Sequence, residues 1–123
     1  MNSAPSPKRK MSEMISEMAA SFISGGKTPE EKHHRLTAAC SAWNMACGST
    51  EMRRQQLEQY VEGYRHNNPA ASRSDLANIR NVMESLIERK LELFPDDKRQ
   101  IIGARVVMVG TDYRIEVEST NLQ

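Results

Sequence analysis

The hydrophobic period of this chain changes once, near Pro95, and that change constrains the fold more than any other feature. Before it, apolar residues recur at the three-and-four spacing of helices; after it, they alternate as they do in strands. Met11, Met14, Ile15, Met18, Ala19, Phe22 and Ile23 share one helical face, with Glu13 and Glu17 opposite, and Gly25-Gly26 stops the segment. Thr28-Pro29-Glu30-Glu31 marks the next start: Thr28 caps, Pro29 suits the first helical position and Glu31 closes a capping box. The stripe that follows is Leu36, Ala39, Cys40, Trp43, Ala46 and Cys47, ended by Gly48. A third helix begins near Thr50, carries Leu57, Tyr60, Val61 and Tyr64 inward, and stops at Asn67-Asn68-Pro69. Ser72 or Ser74 caps the fourth, with Leu76, Ile79, Met83, Leu86, Ile87 and Phe94 on one face, flanked by Val82, Lys90 and Leu91.

Beyond Pro95 the segment Gln100 to Val109 is rich in Ile and Val, and Tyr113 to Glu118 alternates strictly. If Gly110-Thr111 is a two-residue loop of type II′, Met108 faces Tyr113, Val106 faces Ile115 and Ala104 faces Val117. That register makes one face of the hairpin continuously apolar and sets Arg105 against Glu116. A three-residue loop would bring Glu116 and Glu118 onto the face of Ile102 and Val106, so the shorter loop is expected. The expected fold is therefore α+β and mostly α: four helices followed by a two-stranded antiparallel hairpin over about 101–118. With 123 residues and no internal repeat, the chain reads as one domain over 11–123 behind a disordered tail, 1–10.

Charge and cysteine usage limit what such a domain does. Lys plus Arg is 17 and Asp plus Glu is 16, so a strongly basic nucleic-acid coat and an acidic solvating tail are both excluded. No apolar run approaches the roughly 20 residues of a membrane-spanning helix, and Met11 onward lacks the continuous apolar core of a secretory signal. Cys40 and Cys47 are seven residues apart in one helix, about 10.5 Å along its axis, too far for a mutual disulfide. Two unpaired thiols point to a reducing interior, and the expected address is the cytoplasm.

Motifs for chemistry are sparse. Glu30 with His33, and Glu31 with His34, match the Glu-x-x-His spacing of di-iron bundles, but the two copies overlap in one helix and point apart. His33, Cys40 and Cys47 fall on a heptad series whose steps of about 10.5 Å prevent a shared zinc. Neither cysteine suits a nucleophile on an apolar stripe, and no glycine-rich phosphate loop is present. No catalytic residue, metal site or cofactor is expected.

Binding is the expected mode of action, and two surfaces compete for it. An isolated hairpin is marginal in water, its edges offer unpaired backbone groups, and Val107 and Val109 point away from the apolar face. With Tyr60 and Tyr64 on the third helix, these are the expected contacts to a protein partner of unstated identity, and a homodimer is expected. The alanine-rich second helix, with Ala38, Ala39, Ala42 and Ala46, offers a second dimer face. The alternative is a winged-helix-like nucleic-acid binder in which Arg53, Arg54 and Gln55, helped by the basic triplet Lys8, Arg9 and Lys10, meet phosphates and bases. Glu51, Glu58 and Glu62 on the same helix oppose that use.

Overall fold

Capping side chains set where three of the four helices begin in the computed structural model, which describes residues 9–120. The first helix, α1 (Met11–Ser24), follows Lys10, whose carbonyl accepts from the N–H groups of Glu13 and Met14. In α2 (Pro29–Ala46) the Thr28 hydroxyl accepts from the Glu31 N–H at 3.1 Å, while the Glu31 carboxylate takes the Lys27 N–H. Ser49 caps α3 (Thr50–Asn67), and Ser72, the first of the two expected serines, forms a full capping box with Asp75 at the start of α4 (Arg73–Leu93). Each cap satisfies backbone donors that the first helical turn leaves open.

The turn between α1 and α2 requires glycine at one position. A Cβ on Gly26 would lie 2.7 Å from the backbone nitrogen of Lys32, closer than real Cβ atoms come. One feature of α1 is not visible in its periodicity: the helix kinks at Ala19, with φ −141° and ψ 16°. Arg89 of α4 donates to the carbonyls of Met18 and Glu17, at 3.1 and 3.0 Å, satisfying backbone oxygens beside the break.

The hairpin comprises β1 (Ile101–Val109) and β2 (Asp112–Ser119) in the two-residue-loop register. Met108 pairs with Tyr113, Val106 with Ile115, Ala104 with Val117 and Arg105 with Glu116. Gly110 has φ +65° and Thr111 does not share a positive value, as a type II′ turn demands. A bulge between Ile101 and Gly103 pushes Ile102 outward. The inner face, Ala104, Val106, Tyr113, Ile115 and Val117, packs on the helical core, with β1 over α2 and β2 over α1.

Helix α2 is the hub, touching α1, α3, α4 and β1. Its stripe is the centre of the core: Leu36, Ala39, Trp43 and Ala46 have no exposed surface, and Cys40 is buried beside them. The expected face of α1 is buried except for half-buried Phe22, and α4 contributes Met83, Leu86 and Ile87. The expected disorder of residues 1–8, Lys8 included, lies outside the described residues. Arg9 and Lys10, expected in a disordered tail, belong to the folded body. The Arg9 guanidinium pairs with Glu17 at 2.7 Å and lies 5.7 Å from the Phe94 ring centre.

Candidate functional site

The segment joining α4 to β1 determines where the hairpin sits, and polar side chains from α2 and α4 hold it. Trp43 donates its indole N–H to the Arg99 carbonyl at 2.8 Å. Asn44 uses both ends of its amide on one residue: it accepts from the Ile101 N–H at 2.8 Å and donates to the Ile101 carbonyl at 2.9 Å. It thereby occupies the place of a neighbouring strand and closes the start of the β1 edge. Lys90, with no exposed surface, donates to the carbonyls of Phe94 and Asp97 at 2.7 and 2.6 Å. Its ammonium lies 4.8 Å from the Trp43 ring centre, a cation–π arrangement. Burial pulls the Lys90 pKa below its ordinary value, partly opposed by the negative charge available at Cys47 and Asp97. Arg99 and Asp97 form an ion pair at 2.6 Å with both side chains largely covered. The same Arg99 donates to the Arg9 carbonyl at 3.2 Å, tying the start of the described chain to the clamp.

Sequence reading missed this clamp, although its signal was present. Lys90 continues the buried series Met83, Leu86 and Ile87 at helical spacing, so a charge on that stripe has to be buried and satisfied. Asn44 adjoins Trp43, and nothing in its local pattern announces a partner fifty-seven residues away.

The clamp covers only the entry to the hairpin, and apolar side chains stay exposed toward both ends of β1. Val109 is 52 % exposed, as its outward position predicts, while Val107 is half-buried. Met108, expected against the helices, is instead 45 % exposed: its cross-strand partner Tyr113 packs on the core, while the β1 side of the hairpin near the turn stays open. Ile102, thrown out by the bulge, is 67 % exposed. The outward face between them carries a charge cluster, Arg105 to Glu116 at 2.6 Å and Arg114 to Glu116 at 3.1 Å. Hydrogen bonds from Arg105 and then Arg114 draw the Glu116 carboxyl below its usual range.

Tyr60 and Tyr64 lie on the other side of the molecule, half-buried in a groove of about 440 Å³ that also takes in Phe22, His34, Arg35 and Val82. Arg35 is committed there, donating to the Phe22 carbonyl at 2.8 Å with its guanidinium 5.1 Å from the Phe22 ring centre. Burial raises the Tyr60 pKa, with Tyr64 adding to the effect. The tyrosines and the hairpin valines are thus two separate surfaces.

Arg53, Arg54 and Gln55 lie on α3, and Lys8 of the amino-terminal cluster lies outside the described residues. Arg53 is half-buried and donates to the carbonyls of Ala46 and Gly48, closing the end of α2. Arg54 and Gln55 are exposed, and the groove that holds Arg53 and Arg54 also carries Glu84 and Glu88, which offset the field a phosphate needs.

Thiol and imidazole groups remain apart. Cys40 and Cys47 are both free; burial pushes the Cys40 thiol up to about 12 and raises that of Cys47 against the pull of the Lys90 charge. Among the described residues no group of three His, Cys, Asp or Glu side chains is placed to hold a metal ion, and no helix is long and apolar enough to cross a membrane. Searches for similar proteins find no matching family, no curated relative and no solved structure resembling this chain.

Proposed function

We propose that this chain is a non-enzymatic module that acts through protein–protein contact and self-associates through its hairpin. The observation that carries the reading is the open edge of β1: among the described residues no other element bonds to the backbone of Ala104, Val106 or Met108, and Ile102, Met108 and Val109 stand exposed toward the two ends of the strand. Open edges of this kind are templates for pairing, and proteins that stay alone close them along their length. Here closure is local: Asn44 covers Ile101, and the Asp112 carboxylate takes the Tyr113 N–H at 2.8 Å. Two thiols kept free, with their pKa values raised, support a binding role in a reducing compartment such as the cytoplasm over a nucleophilic one.

Sedimentation equilibrium of the purified chain tests the reading. The expected result is a dimer at micromolar concentration that Val107→Lys weakens, with the helical circular dichroism of the variant unchanged. A wild type that stays monomeric at high micromolar concentration overturns it.

A further inference from the structure

We infer that β1 pairs antiparallel with β1 of a second copy across a two-fold axis at Val106, extending each hairpin into one four-stranded sheet. The inference rests on the self-association reading above and specifies its edge and its register.

The backbone supplies the first argument. A two-residue loop makes Val109 and Asp112 a hydrogen-bonded pair, so bonded pairs recur at Val107–Arg114 and Arg105–Glu116. The N–H and C=O groups of Ala104, Val106 and Met108 therefore point away from β2. Among the described residues no other element bonds to them. These three alternate positions are what a second antiparallel strand engages.

Side chains then select the register. With the axis at Val106, Ala104 faces Met108 of the second copy and Arg105 faces Val107. Beneath the Ala104 end of the edge runs a groove of about 260 Å³, lined by Thr37, Cys40, Ser41 and Asn44 of α2 together with Ile102 and Ala104. Met108 hangs from the same side of the sheet at the other end of the edge and is exposed in a single copy. Two-fold pairing brings each methionine over the groove of the other chain, and a flexible thioether suits an irregular gap. The α2 flank under this edge carries the short side chains of Thr37 and Ser41, which leave space for the approaching strand. Moving the axis to Arg105 would set the two Arg105 guanidiniums opposite each other, a destabilising like-charge pair. Moving it to Ala104 would send Met108 toward Gln100, beside the end that Asn44 already closes.

Cysteine pairing between two variants reads the register directly. In the proposed dimer Arg105 and Val107 form a non-hydrogen-bonded cross-strand pair, with Cα atoms about 4.5 Å apart. That spacing lies inside the range of roughly 4.4–6.8 Å for a disulfide. Arg105→Cys and Val107→Cys chains, one isotopically labelled, are mixed and oxidised mildly, with wild type as the blank for Cys40 and Cys47. The expected product is the mixed disulfide, at least tenfold over either homodimeric one, in variants whose circular dichroism matches wild type. Cross-linking of Val107→Cys chiefly to itself, or of Arg105→Cys to itself, overturns the register. A wild-type dimer that yields no mixed disulfide overturns it too and leaves self-association standing. A monomeric wild type removes both. Val107→Glu gives an independent check: placed opposite Arg105 of the second copy it is expected to retain the dimer that Val107→Lys weakens, and equal weakening by both overturns the pairing.

Discussion

Trp43 combines three roles that rarely fall on one residue. It fills the centre of the core with no exposed surface, donates its indole N–H to Arg99, and presents its ring to the Lys90 ammonium. Trp43→Ala removes all three, and the expected loss is about 3–5 kcal/mol from truncation of a core aromatic. Denaturant titration measures it, and the native indole should emit at the blue-shifted wavelength of a buried ring. The cysteines beside it make a second residue-level prediction. Because burial raises both thiol pKa values, the thiolate is scarce near neutral pH. Labelling of both should be slow in native protein and fast in denaturant, with Cys47 ahead of Cys40 because Cys47 is half-buried and Cys40 is buried. Rapid native labelling of Cys40 would show that the stripe opens.

Within the elements, what the sequence made legible and what it hid divide along a physical line. Helix starts at Thr28, Ser49–Thr50 and Ser72, the stripes behind them and the hairpin register are local in origin, set by caps, spacing and a two-residue turn. The clamp was hidden because its partners are far apart in the chain: Asn44 with Ile101, Trp43 with Arg99, Arg89 with the carbonyls at the α1 kink. Met108 departs from expectation for a related reason, since alternation assigns its face but not which of two paired strands the helices cover near the turn. Of the candidate site, the exposed Val109 was readable, whereas the groove along α2 required knowing which helix lies under β1. The connection into β1 has its own pH signature. Hydrogen bonds from Arg99 hold the Asp97 carboxyl below its ordinary 3.8. A depressed carboxyl contributes stability that is complete above the unfolded pKa and is lost as pH falls through the folded one. Asp97→Asn should therefore lower stability at neutral pH and flatten the acid limb below about pH 4, where protonation of Asp97 begins. Melts of wild type and variant across that range give the comparison, and parallel acid limbs would show that Asp97 does not contribute there.

At the scale of the whole molecule, α2 decides whether helices and hairpin behave as one body. A two-stranded hairpin has little stability alone, and this one takes its support from the face it lays on α1 and α2 and from the clamp at its entry. The clamp in turn needs the helices: Trp43 and Asn44 come from α2, and Lys90 comes from α4. Neither part therefore has a low-energy way to leave the other intact. Opening the hairpin would uncover Ile101 and the flank of Trp43, while melting α2 would strip both backbone partners from the start of β1. The expected outcome is a single unfolding transition in which tryptophan fluorescence, reporting the clamp, coincides with far-ultraviolet circular dichroism, reporting the helices. Asn44→Ala sharpens the test. It leaves the N–H and C=O of buried Ile101 without partners, at a cost of about 1–3 kcal/mol for each group that stays dry. In a coupled body that cost lowers both midpoints together. If the fluorescence midpoint falls while the helical signal holds, the hairpin detaches on its own and the helices form a separate unit.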